Sequence, residues 1–443
     1  MGVSKPNEIG HSFMAISKNY ITVLLAAALF TRAVGDIVVP GANGTDGVLN
    51  ITTNTVIDLS RAVTAAWDSD NSANAGKGVY DASKWAVVFK YSSVTIRSNA
   101  TVTFRNHASR APVVWLVSGD VRIDGNVNLD GQDSVGAPLH AEPGPGGFRG
   151  STGTYPGSSY GAGFGIGGGS RVVNWNGFAG GNYGVVRKIL DRASDYGNPS
   201  LLPLLGGGGG GSSDVDKNAN GGGAGGGAIL IAATATIEVN GSILARGGRG
   251  AACGFSGSGS GGGIRLVSEI VRGRGGFFAT PLGSFAGCGG GENVVIGNAG
   301  YGRIRIERTI TDPNGGVLSI VPDPSVVTLA QDSEALIWPP TGAPEVRITS
   351  IGGGAVSLDP RAGFGAFGPD VALPITNRTF VTVETKNVEP QSQVIVRVTP
   401  RANANFLEAN AAIVSSTNSA IQWQAGVDVN VGYSAVQVRV VRP

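Results

Sequence analysis

The sequence predicts an all-β protein: a right-handed parallel β-helix, or solenoid, with glycine-rich insertions, followed by a C-terminal β-sandwich. Three observations predict it. Short apolar runs bounded by turn residues fill most of the chain, the pattern of strands rather than helices. Units of short strands ending at Asn-Gly or Asp-Gly recur between Ser93 and Glu307. Beyond Pro344 the alternation turns strict, with Val394, Val396, Val398 and then Val436, Val438, Val440 each on one face.

The elements follow in order. Lys5 and Lys18 precede the ten-residue apolar stretch Ile21 to Phe30, and Ala33-Val34-Gly35 offers small residues for cleavage before Asp36. Residues 1–35 therefore read as a secretory signal peptide. A membrane anchor is the alternative, but a span needs about 20 apolar residues. The expected location is secreted, extracellular or cell-surface, with no membrane span in the mature chain.

Residues 36–337 form the predicted glycine-rich solenoid. Ser93 to Arg105 alternates, Pro112 to Ser118 is continuously apolar, and Val121 to Gly131 alternates again into a turn. Ala228 to Arg246, Gly263 to Glu269 and Gly302 to Glu307 repeat these elements. No such unit buries its own apolar face, so units must stack and share a core. A barrel of hairpins competes, because Asn-Gly also closes hairpins.

Between Ala141 and Gly300 lie 49 of the 73 glycines. The runs Gly206 to Gly211, Gly221 to Gly227 and Gly257 to Gly263 lead into or stand beside apolar strands. They are expected to pack as extended, polyproline-II-like segments, with flexible linkers as the alternative. Val185 to Tyr196 carries a helical apolar stripe. Just upstream, Trp175, Phe178 and Tyr183 are either plating for the core or an aromatic partner or ligand surface. The proline cluster at 338–344 cannot continue a central strand and marks a linker. Residues 345–443 then hold six short strands, as in an immunoglobulin-like or fibronectin-III-like sandwich.

Charge and chemistry narrow the function. Charged residues make up 14% of the chain and the formal net charge is +2, with Lys and Arg scattered. That removes the basic footprint of a nucleic-acid binder. Cys253 and Cys288 are the only cysteines, and in an oxidising compartment they are expected to pair as a disulfide. With three histidines in all, a His/Cys metal site is not expected. Asp214, Asp216 and Asn218 place oxygen ligands at alternate positions, as calcium loops do. They lack the glycine and glutamate of an EF-hand, so calcium is the single cofactor to consider.

Asp120, Arg122 and Asp124 share one strand face. They read either as solvated outer-face residues or as the carboxylates and arginine of a polysaccharide lyase. No catalytic residue is otherwise assigned. The Asp-Asp and Gly-His-Gly blocks of polygalacturonase-type hydrolases are absent.

Three blocks carry a resemblance: Lys84 to Ser93 (KWAVVFKYSS), Arg110 to Val117 (RAPVVWLV) and Ala141 to Gly150 (AEPGPGGFRG). They are similar to blocks of uncharacterised secreted glycine-rich bacterial surface proteins. The resemblance covers roughly Asp36 to Glu307 and implies an exported bacterial surface protein without supplying an active site. The expected function is an exported structural or adhesive cell-surface protein, self-associating or bound to a surface glycan or protein. The alternative is a carbohydrate-active β-helix protein, a lyase or a glycan binder.

Overall fold

The computed structural model describes residues 37–135, 139–153, 161–170, 180–183, 195–212, 221–251, 256–283, 299–312, 315–359, 369–374, 378–401 and 404–443. The predicted signal segment lies outside them. Among the described residues strands dominate, and the helical elements are two three-residue turns, Leu59–Arg61 and Ser72–Asn74; the helical stripe read at Val185 to Tyr196 lies outside them but for its last two residues. Among the described residues no helix is long and apolar enough to cross a membrane.

The right-handed parallel β-helix predicted for 36–337 is corrected. The strands do pair mostly in parallel, but they gather into an eleven-stranded and a six-stranded sheet flanked by two antiparallel sheets. The larger sheet is mixed, because Val79–Asp81 runs antiparallel to Ala86–Ile96. Ala86–Ile96 also pairs with two successive strands along one edge, Val113–Val117 and Val121–Ile123. Between Asn128 and Ala228 the described residues contain no strand. Short apolar runs specify pairing between neighbours. They do not specify how the rows close or where the chain leaves them.

Each strand's composition follows from what covers it. Val113–Val117 is apolar throughout because both of its faces are buried. Val113, Trp115 and Val117 enter the inner core with Val87, Ile231 and Ile264. Val114 and Leu116 face a second core formed with Ile37, Leu201, Leu204 and Ile337. The six-stranded sheet needs only one apolar column, and Val102, Val127, Ile243 and Phe277 provide it.

The glycine runs pack as a bundle of extended segments. Gly207 and Gly210 donate to the carbonyls of Gly226 and Gly223, and accept from the amides of Phe148 and Ser151. Gly208 and Gly211 accept from Ser260 and Gly257. In the next run, Gly222 and Gly225 donate to Ser151 and Phe148, Gly223 and Gly226 to Gly257 and Ser260, and Ala224 and Gly227 to Gln132 and Leu129. Each neighbour recurs every third residue, which is the repeat of polyproline II. A chain of that period points its polar groups in three directions, so one segment bonds several neighbours where a strand bonds two. The approach leaves no room for side chains: a Cβ on Gly210 would sit 2.1 Å from the Gly257 oxygen, and one on Gly222 2.0 Å from that of Gly210.

After the exposed 339–344 segment, two antiparallel sheets share a third core. One contains Glu345–Ile351, Arg378–Lys386, Ile421–Asp428 and Ala412–Ser416, and the other Leu407–Asn410, Gln393–Pro400 and Ser434–Val441. Val381, Val383, Val396 and Trp423 meet between them, and the Trp423 indole donates to Thr385 at 2.8 Å. Gln393–Pro400 is also covered on its outer face. There Arg397 donates to the carbonyls of Ile166 and Gly168, both at 2.6 Å, under the ring of Phe406 at 3.5 Å. Burial lowers the Arg397 pKa to about 10.

Candidate functional site

The outer-face trio was the strongest chemical candidate in the sequence. Parallel register stacks its strands so that Arg122 pairs with Glu238, and Glu238 with Arg272. The side chains close a ladder: Arg122 to Asp124 at 2.8 Å and to Glu238 at 3.1 Å, Arg272 to Glu238 at 2.9 Å and to Asp312 at 3.6 Å. Asn240 bridges Asp124 and Glu238 at 2.9 and 3.0 Å, while Asp120 accepts from the Thr236 amide at 3.1 Å.

The hydrogen bond from Arg122 is the main influence holding the Asp124 carboxyl below its ordinary value. The Asn240 amide does the same for Glu238. Both carboxylates therefore stay ionised and engaged at neutral pH, the reverse of what a general acid requires. The trio is a structural charge ladder.

The other predicted sites fare as follows. The calcium candidates Asp214, Asp216 and Asn218, the cysteines Cys253 and Cys288, and the aromatics Trp175 and Phe178 lie outside the described residues. Tyr183 is described, and it is no surface residue. It is fully buried, 4.8 Å from the ring of Tyr196, with the Arg303 guanidinium 5.6 Å from its own ring. Burial pushes its hydroxyl above the ordinary phenol value. An aromatic beside a glycine run fills the volume that glycines leave empty, and here that volume is internal. Among the described residues no group of His, Cys, Asp and Glu could hold a metal ion.

Three features escaped the sequence. His107 Nδ1 meets the Ser109 hydroxyl at 2.8 Å. The same nitrogen accepts the Ser109 amide at 3.2 Å, so this is a turn-closing contact. Secondly, a cleft of about 900 Å³ opens between the glycine bundle and the C-terminal sheets, lined by Trp85, Phe148 and Phe164 opposite Leu373, Val431 and Tyr433. Arg110 and Arg149 reach its wall, and both are paired with Glu142 at 2.7 Å. Beside the aromatic faces its charged lining is Asp370, Arg347, Arg110 and Arg149. Its walls come from segments 180 or more residues apart, Trp85 to Ile166 on one side and Val346 to Val438 on the other, so no local pattern announces it.

The third feature is the pair of open ends of the parallel sheets. At one end, Gly47–Ile51 and Thr55–Asp58 are outermost strands, with Val48 and Val56 more than 60% exposed. At the other, Ser319–Val321 is outermost in the six-stranded sheet, and Val317, Val321 and Val326 are exposed. Alternation marks these strands in the sequence, but only pairing shows that they are last in their rows. Compared with known proteins, the chain matches no family model, no curated protein and no solved structure.

Proposed function

We propose that this is an exported structural or adhesive cell-surface protein, built as a rigid element that associates with copies of itself. The observation that carries the reading is the glycine bundle. Its backbone groups bond one another at a three-residue period, and at glycines such as Gly210 and Gly222 its spacing excludes a side chain. Such a body supplies stiffness and leaves little surface chemistry, which suits a scaffold better than an enzyme. The charge ladder agrees, because its carboxylates are all engaged. Electron microscopy of the mature chain over a concentration series tests the reading. Filaments or ordered layers are expected, whereas discrete monomers at every concentration would remove self-association from it.

The aromatic cleft favours a second reading, a glycan-binding protein, since Trp and Phe faces suit the apolar faces of sugars as they do other amphipathic ligands. A glycan array with Trp85→Ala as control tests it. Retained glycans that the variant no longer holds would support binding, and an empty array would discard it.

A further inference from the structure

The register of the six-stranded sheet can be followed from end to end. Thr55 pairs with Val102, Val102 with Val127, Val127 with Ile243, Ile243 with Phe277, and Phe277 with Ile320. These residues form one inward-facing column. Val56 and Val321 each follow their column member by one residue, so both lie on the outward face at the same height. They are exposed at opposite ends of the row. All five pairings are parallel, so the two free edges run in the same chain direction and face opposite ways.

In the larger sheet Ser325–Thr328 is the last strand and covers Arg305 to Arg308; past Arg308, beside that strand, the column repeats this relation. Asn50 pairs with Thr95, Thr95 with Arg122, Arg122 with Glu238, and Glu238 with Arg272, and Arg272 meets Asp312 at 3.6 Å. The ladder thus alternates in charge and finishes on a carboxylate at one end and an amide at the other. Inside the chain that combination already forms a bond, Asn240 to Asp124 at 2.9 Å.

From these two columns we infer that the ends are a head-to-tail interface for a second copy of this chain. Ser319–Val321 of one copy lies parallel beside Thr55–Asp58 of the next, Val321 against Val56. In the larger sheet Asp312 comes to Asn50. The interface adds backbone hydrogen bonds to edges that would otherwise template any strand. It also places Thr55 and Ile320 of successive copies in one continuing core column. The two surfaces differ, so the contact is heterologous, and repetition without closure makes an open filament. This inference rests on the self-associating reading above and names its partner surface.

The test uses the full mature chain carrying Val56→Cys and Val321→Cys together, treated with oxidised glutathione. Neighbouring parallel strands lie about 4.8 Å apart, within the Cα separation a disulfide accepts. A ladder of reducible oligomers is expected, well above the background of either single variant. The off-column pair Thr53→Cys with Val321→Cys should give none above background. In parallel, Val56→Lys and Val321→Lys should each raise the concentration for association at least tenfold in sedimentation velocity. Val414→Lys, exposed on the C-terminal strand Ala412–Ser416, should leave it unchanged.

Assembly that survives both lysine variants, with no specific crosslink, overturns this interface and leaves the structural reading standing. Crosslinked pairs without filaments would keep the interface and remove the filament. A chain that neither associates nor crosslinks at any concentration overturns both.

Discussion

At the scale of single residues, the strongest constraints fall on positions with the least chemistry. Gly210 has no side chain to offer, yet a methyl group there would meet the Gly257 carbonyl oxygen at 2.1 Å. Both partners are backbone held on several sides, so neither yields cheaply. Gly210→Ala is expected to cost about 3 kcal/mol or more, measured by chemical denaturation. Gly221→Ala, whose nearest contact would be 3.2 Å, should cost distinctly less; equal costs would mean that close approach does not govern the bundle. Arg397 is a second such residue. Replacing it with Met leaves two inward-facing carbonyls without their donor. A loss of about 2–4 kcal/mol is expected, with earlier proteolysis between the two parts of the chain.

The charge ladder belongs to the same scale but carries far less. Its ion pairs are largely solvent-facing, and each contributes under about 1 kcal/mol. Its pH dependence has a definite sign. The Asp124 and Glu238 carboxyls titrate lower in the folded chain than in the unfolded one. Their contribution is complete above the unfolded carboxylate values near 4 and fades as the pH falls through the folded values. Asp124→Asn with Glu238→Gln should therefore flatten the fall of Tm between about pH 5 and pH 2. An unchanged slope would assign acid sensitivity elsewhere.

Among the elements, the glycine segments and the strand Gln393–Pro400 are the most informative. Gly206–Gly211 carries no side-chain signal that separates a packed segment from a linker; only the apolar strands beside it argue for packing. In the structure its amides are donated to Gly146, Gly226, Phe164 and Gly223 carbonyls and to the Ser260 hydroxyl. Hydrogen exchange across Gly206–Gly211 and Gly222–Gly227 should accordingly be slowed to the level of the flanking strands. Exchange at random-coil rates would contradict the bundle.

Gln393–Pro400 teaches the converse. Its valines announce one buried face, and Arg397 and Thr399 look like the solvent face of an ordinary two-sheet domain. Both are buried, because that face rests on the bundle. Alternation reports which side is apolar. It does not report whether the polar side meets water or another part of the protein.

Across the whole molecule, the two parts are stitched by a few contacts of long sequence separation. Besides Arg397, the Tyr80 hydroxyl donates to Asp359 at 2.6 Å. Arg265, ion-paired to Glu307 at 2.8 Å, donates to the Leu336 carbonyl at 2.7 Å and so pins the stretch before the prolines. The C-terminal sheets should melt at a lower temperature as an excised 345–443 fragment than within the chain, since excision exposes the Arg397 face. Calorimetry of both would decide it, and identical Tm values would mean that the docking contributes nothing.

The sequence by itself determined the strand content and the inward columns of both sheet systems, because period-two alternation acts locally. It also raised the packing of the glycine runs, on the ground that glycine permits the closest backbone approach. Tertiary structure alone decided the rest. The rows close as stacked sheets rather than the expected helix, Tyr183 turns inward, and the outer-face carboxylates are tied into a ladder. The ends of the rows are left open as well. Each of these depends on contacts between segments distant in the chain, and such contacts are set by packing that no single segment contains.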